Sequence, residues 1–565
     1  MCGITVGISD DEAIALAHNR LSINDLSPSS TQPLHHSSPT HTIHAVVNGE
    51  IYDDNDTIRN DLDCPFKSHS DSELILALYK QHGAPAFLSH LRGEFAFVLY
   101  DETNDRIITA RDRFGIKPLF WTVMDGGEER DEKRLLIAAE AKAKVLPGCW
   151  MEVTRGGEMK HERYWDIEYK DKREVETRSV EEMVLGVQER LTEAIPSIVT
   201  HLVREQGIKI GDQDATSRVC CFTIEFPREL GFGRMDETTL AANFADSAYH
   251  CEQHNLDLNS VGKFVLSTLP REQGFKVVLT GEGADEHFAG YPFFPPDFLR
   301  EPDLAMPTQA AFESKIPLMG VFSHGFQPDS QPTLDCFAPW VQRRWGAVVD
   351  CRQTCVDALS AEARDKIANK WHPLHASEYM WSKTMLANNL LTVLGDRTEM
   401  AHSVEARPPF LDHVLSEYVN GLPPSVKLWY TPGRMEEDEQ GQGPWWEGES
   451  TATRDLLSEK WILREAGKPF ITQELYERRK HPYSAPYRWL RDGPLYKTLE
   501  GICTREAVEN LGFVEYSLVQ QGFAKGFGEG ADVRLFRLLL IIGGWVTLAE
   551  RFGMKKVRME DYQTY

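Results

Sequence analysis

The sequence predicts two domains of different construction, an α+β domain over residues 1–165 and an α/β domain over 181–565, joined by a linker at 166–180. Three observations predict this. A chain of 565 residues is longer than a single core organises. Its first part is a series of short β-rich runs broken by one helix. The remainder is mostly helical in period, with two continuous apolar runs of the kind buried in a parallel sheet.

In order, "ITVGI", "AIALA", "TIHAVVNG", "FAFVLYD", "RIITARD" and "LLIAAE" are the strands of the first domain, each bounded by turn residues. The helix among them is "SDSELILALYKQHG": Ser70 is placed to cap it, Glu73 to complete a capping box, and Gly83 to stop it. The domain ends near "HERYWD" (His161–Asp166), and the charged "YKDKREVETRS" (Tyr169–Ser179) reads as a solvated linker. "RVCCFTIEF" (Arg218–Phe226) and "FKVVLT" (Phe275–Thr280) are the buried strands of the second domain. A Pro-rich loop follows at Tyr291–Asp303, and an acidic, Gly-rich insertion at Gly433–Ser450. "LLLIIGGWVTLA" (Leu538–Ala549) is too short to span a bilayer and reads as a buried C-terminal helix.

Composition excludes several classes of function. A net charge of -25 argues against nucleic acid or an anionic membrane as the main partner. Asp10, Asp11 and Glu12 interrupt the start before any signal-like apolar run. Ten cysteines make no disulfide framework in so long a chain; Cys351 and Cys355 have the wrong spacing for a zinc knuckle, and Cys220 and Cys221 sit in an apolar run. His372 and His375 lack partners for a metal site. A reduced, cytoplasmic setting fits.

The chemistry begins at "MCGIT". Removal of Met1 leaves Cys2 with a free α-amine beside its thiol, a nucleophile and a base in one residue. Further along come Arg20 in "HNRLSI", Asn48, Gly49 and Glu50 in "VVNGEIYD", and Asp71 at the helix start. Each alone has an ordinary reading: a surface arginine, a turn dipeptide, an acid answering a helix dipole. Together they match the needs of a free amino acid with a side-chain amide. A guanidinium holds the α-carboxylate, carboxylates hold the α-ammonium, and an amide with a glycine N–H stabilises the tetrahedral oxyanion.

In that order, "MCGI", "RLSI", "NGEIY", "SDSE", "LRGEFAFVLYD", "RDRFGIKPL" and "AAEAKA" resemble the class II glutamine amidotransferase domain of asparagine synthetases. The resemblance implies an N-terminal-nucleophile (Ntn) αββα glutaminase fold. It also implies Cys2 as nucleophile, Asn48 and Gly49 as oxyanion hole, and Arg20, Asn48, Gly49, Glu50 and Asp71 as the glutamine site. "FKVVLTGEGADEHFAGY" resembles the family's "SGEGSDE-FGGY" loop, and "LGDRTEMAHSVEARPPFLD" its "DR-SM-SVEARVPFLD" segment. These imply an α/β ATP-pyrophosphatase-type synthetase domain using ATP and Mg²⁺. Thr280 and Gly281 would contact the nucleotide, with Ile224 on the strand lining the adenine. Glu282 would serve the acyl-adenylate step, Asp285 would bind Mg²⁺, and Lys480 in "ERRKHPYSAP" would stabilise phosphate charge. The implied reaction amidates ATP-activated aspartate with ammonia from glutamine, passed through an internal tunnel; a homodimer is the family expectation. Another carboxylate acceptor in specialised metabolism, or a glutaminase-only or non-catalytic paralogue, are the alternatives.

Three departures qualify the resemblance. Only "DDEA" stands where the family has a helix and an "HRGPD"-type loop near the nucleophile. The pyrophosphate loop "SGG-DS" is absent from the chain, and its expected place reads as helix through Pro196. A third gap lies at Phe226–Thr239. Close matches on both flanks of each gap indicate discrete loss of segments, as skipped exons or a misread gene produce.

Overall fold

The computed structural model describes residues 3–8, 14–23, 25–39, 41–52, 57–62, 64–125, 133–139, 145–154, 157–206, 235–306, 336–345, 351–430, 457–478 and 485–562. Cys2, Ile224, Lys480, Cys220, Cys221 and the acidic insertion lie outside these residues.

The first domain is built on two antiparallel sheets. One has the order β2 (Ile14–Asn19), β1 (Gly3–Ile8), β8 (Lys133–Ala138), β7 (Phe120–Asp125). The other runs β10 (Met159–Arg163), β9 (Cys149–Thr154), β6 (Arg106–Arg111), β5 (Gly93–Asp101), β4 (His41–Ile51), β3 (Leu34–Ser38). Val46, Ala96, Val98 and Ile107 of the larger sheet meet Leu135 and Ile137 of the smaller in one core. The larger sheet's opposite face packs Val47, Phe95, Phe97 and Leu99 against Leu74, Ile75 and Leu78 of α1 (Leu74–His82). Covered on both faces, β5 reads as a nearly unbroken apolar run, "FAFVLY", between Glu94 and Asp101.

Two local expectations are corrected. Glu73 completes no capping box: a 3₁₀ turn at Asp71–Glu73 precedes α1, and the Ser70 side chain caps nothing. The Glu73 carboxylate instead accepts hydrogen bonds from the Lys67 and Ser68 N–H groups (2.8 and 2.9 Å) and from Ser68 Oγ (2.7 Å). The linker is not simply solvated either. Tyr169 is buried, edge-on to Trp371 and stacked on His375, while its charged neighbours pair among themselves at the surface.

Two of the three gaps have a structural counterpart. β1 returns directly as β2 in an antiparallel hairpin, Ile8 facing Ile14, so five residues stand where the family places a helix and loop. In the second domain, α2 (Val180–Gln206) runs unbroken through Pro196, where the pyrophosphate loop was expected.

The second domain's longer helices include α3 (Glu237–Cys251), α4 (Asn259–Leu266), α5 (Pro373–Trp381) and α6 (Val533–Arg551). Its C-terminal helix α6 is buried as its composition requires, closing a core with Leu240 and Phe244 of α3. Among the described residues no helix is long and apolar enough to cross a membrane. β11 (Val277–Leu279) pairs in parallel with β12 (Glu405–Arg407), Leu279 facing Arg407. The expectation of a fully buried strand fails at β11, where Leu279 is 44% exposed. β12 is its one sheet neighbour among the described residues, and the other expected strand, Arg218–Phe226, lies outside them.

Candidate functional site

The residues expected to form the glutamine site lie at the end of β2, on β4 and on the turn before α1, elements that pack on one another. Gly3 pairs with Asn19, so β1 starts across from the residue that precedes Arg20 in the chain. Arg20 Nη2 donates to the backbone carbonyl of Asp25. The Asp25 carboxylate in turn accepts from the Ser27 N–H (2.7 Å) and the His69 N–H (2.9 Å), two residues before Asp71. Burial works against its charge, yet Ser27, His69 and Arg20 hold its carboxyl below the usual range. Asp25 thus links Arg20 to the Asp71 segment. Composition gives it no signal, because its contribution is to the loop and not to a motif. Asp71 is buried, and its Oδ2 accepts the Ile51 N–H at 2.7 Å, tying the helix start to the Asn48–Glu50 strand.

Asn48 is buried, and Gly49 has a φ of +123°. A Cβ at Gly49 would stand 2.0 Å from the Glu94 carbonyl oxygen, so β4 and β5 approach as only glycine permits. Glu50, the other expected glutamine ligand, also has a partner in the second domain. Its carboxylate turns into the domain interface, where Arg407 Nη2 of β12 lies 2.7 Å from Oε1. Arg407 is fully buried and needs a counter-charge; Glu405, 3.0 Å from its Nε, supplies another.

Around this pair runs a buried ionic network. Lys117 Nζ stands 3.8 Å from Glu94 and from Glu405, and 3.9 Å from Asp396. Four carboxyls, on Glu50, Glu94, Asp396 and Glu405, face Lys117 and Arg407, and the charges of Arg111 and Arg397 act on Asp396 as well. Burial pushes Glu94 up to about 8, with Lys117 opposing, and its Oε1 accepts from the Tyr52 hydroxyl at 2.7 Å. Glu94 is thus held towards its protonated form.

Beyond the network lies the expected acyl site. A narrow pocket is lined by Ile116 and Lys117 from the first domain and by Thr280, Glu282, Asp396, Glu399 and Pro408 from the second. The Thr280 N–H donates to the Arg407 carbonyl (3.1 Å), so one residue touches Glu50 with its side chain and the acyl loop with its backbone. Gly281 is exposed, and a Cβ there would meet nothing within 4 Å, leaving room for a nucleotide to approach.

The residues do not fit Mg²⁺ as expected. Lys460 Nζ donates to Asp285 Oδ1 at 2.8 Å, so the carboxylate assigned to the ion is paired with an ammonium. Among the described residues no group of three or more acidic, His or Cys side chains is placed to hold a metal ion. The partner carboxylate would come from the absent pyrophosphate loop. Cys2, Ile224 and Lys480, the other expected site residues, lie outside the described residues.

Residues 212–545 match the asparagine synthase family model, and residues 5–194 match a glutamine amidotransferase domain. The chain belongs to the asparagine synthase family, a family of glutamine-dependent, ATP-using ligases, and its first domain is of the Ntn type. It is 34% identical to amidase chyE of Penicillium rubens and 33% identical to amidase chry2 of Gibberella zeae, covering 97% of this chain and 92% of each relative. Asparagine synthetase B of Escherichia coli is 28% identical over 51% of this chain and 59% of its own length. The match to chyE extends over 655 residues, more than the 565 present here, so that relative carries stretches this chain lacks.

Proposed function

We propose that the chain is a glutamine-dependent amidotransferase in which Cys2 releases ammonia and the second domain transfers it to an activated carboxylate of specialised metabolism. The observation that carries this reading is Arg407, joined to Glu50 of the glutamine site and to Thr280 of the acyl site. With the two half-sites held by one residue, ammonia has a short internal route past the buried network to the pocket at Glu282. The acceptor is placed outside asparagine synthesis because two amidases are 34% and 33% identical over nearly the whole chain, above the 28% of E. coli asparagine synthetase B. A cytoplasmic enzyme acting on small molecules follows from the same reading.

Acyl transfer and acyl activation separate in this chain. Departure of pyrophosphate concentrates charge that a preorganised set of N–H donors normally stabilises. Loss of one such donor costs about 10²–10³ in rate, and here continuous helix stands in place of the whole loop. The chain as it stands therefore hydrolyses glutamine and transfers ammonia, while adenylating carboxylates negligibly.

Cys2→Ala tests the first half. Glutamate release from glutamine should vanish, while aminolysis of a supplied acyl adenylate by ammonium chloride persists. Equal loss of both activities would remove Cys2 from its assigned role.

A further inference from the structure

One wall of the pocket between the domains carries two carboxylates sharing one lysine. Lys263 Nζ, on α4, stands 3.2 Å from Glu399 Oε1 and 3.5 Å from Glu282 Oε1. Both acids line the pocket, together with Thr280. Glu399 is a departure from the family pattern: in "DRTEM" it occupies the place of the serine in "DR-SM". An acid introduced into a site that already has one, and 3% exposed, is costly unless it is used.

The two carboxyls differ in their environment. Burial works against ionisation of Glu282, but the Lys263 ammonium and the Thr280 hydroxyl hold it below the usual carboxylate range. Burial pushes Glu399 up to about 7; Lys263 opposes this, while the charges of Glu282 and Asp396 add to it. Lys117 is the cation facing the same pocket from the first domain. Paired groups whose proton affinities are driven apart divide acid and base roles between them.

We propose that Glu399 is a second catalytic carboxylate of the acyl site, the base that takes the proton from the nitrogen attacking the activated acyl group, while Glu282 stays ionised and stabilises the cationic nitrogen. This rests on the amidotransferase reading above. Ammonia's lone pair forms the C–N bond and the carbonyl electrons move to oxygen. The ammonium-like nitrogen of the tetrahedral adduct then loses a proton to Glu399. The C=O bond re-forms as the C–O bond to phosphate breaks, and AMP leaves with that electron pair. Acyl adenylate, ammonia and the Glu399 carboxylate become amide, AMP and protonated Glu399, which returns its proton to solvent.

The test bypasses activation. The full chain is mixed with preformed β-aspartyl adenylate or benzoyl adenylate and ammonium chloride, and amide formation is followed from pH 5 to 9 per unprotonated ammonia. The wild-type chain should accelerate aminolysis over buffer, with a rate that rises through an inflection near pH 7. Glu399→Gln should lose about 10²–10⁴ in rate and the inflection with it. Glu399→Asp should keep the inflection at a reduced rate, which a merely misfolded variant does not do. A Glu399→Gln chain with the wild-type rate and inflection would overturn the inference and leave the amidotransferase reading standing. A wild-type chain that accelerates neither adenylate would overturn both.

Discussion

At Gly49 the backbone decides the residue. A φ of +123° combined with a carbonyl oxygen 2.0 Å from any Cβ means that Gly49→Ala must push β5 away from β4. Strain at such a position is worth about 1–3 kcal/mol before the clash is counted. The variant should therefore lose at least that much stability in denaturant unfolding and lose glutaminase activity; wild-type values for both would contradict the geometry. Glu94 makes a pH-dependent prediction. Its folded pKa, about 8, lies above the ordinary carboxyl value of 4.5, so the folded chain binds a proton there that the unfolded chain has lost. Stability from this group is present below the unfolded value and is lost as pH rises towards 8. Glu94→Gln keeps an acceptor for the Tyr52 hydroxyl and cannot ionise. Its melting temperature should fall less than the wild-type's between pH 5 and 8, and parallel curves would show that Glu94 does not hold the proton. The motif "NGE" made the buried, tightly packed stretch Asn48–Glu50 stand out in the sequence, but not that Arg407, distant in the chain, pairs with the Glu50 carboxylate.

At the scale of elements, apolar alternation located β1, β2, β4, β5, β6 and β8, and the stop at Gly83 and the buried α6 were equally readable. β3, β7, β9 and β10 were not. "LHHSS" and "MKHER" are polar edge strands, ordered by pairing with β4 and β9 and not by their own apolar pattern. The capping box failed for a related reason: a 3₁₀ turn shifts Glu73 out of its capping position, and the 67–68 backbone takes its carboxylate. The short helix at Phe294–Phe298, inside the tract read as a loop, rests its rings on the Tyr291–Phe293–Trp381 aromatic cluster. The acyl loop makes the prediction at this scale. With Asp285 paired to Lys460 and no group of three or more possible metal ligands among the described residues, Asp285→Asn should leave glutamate release from glutamine unchanged. Magnesium should shift the melting temperature of variant and wild type alike. A magnesium-dependent stabilisation present only in the wild type would restore Asp285 as a ligand.

Across the whole molecule, the order of motifs revealed two catalytic domains, but not how they meet. The interface is a set of buried charges contributed by residues far apart in sequence: Lys117 and Glu94 from one domain, Asp396, Glu405 and Arg407 from the other. Such a network is costly to bury and is kept in register only when every partner is present. It gives the glutamine site and the acyl pocket a fixed relation, which suits delivery of ammonia from one to the other. The chain is asymmetric: Asp71 is tied to the Asn48–Glu50 strand of the expected glutamine site, whereas the continuous helix α2 stands where the pyrophosphate cradle of the acyl site was expected. That asymmetry is the central claim, and one assay on the purified 565-residue chain tests it most directly. Glutamate release from glutamine and exchange of labelled pyrophosphate into ATP are measured side by side, with magnesium and a panel of small carboxylic acids that includes aspartate. Glutamate release that depends on Cys2, with exchange no faster than in buffer for any acid, is the predicted result; measurable exchange with any one of them would contradict it.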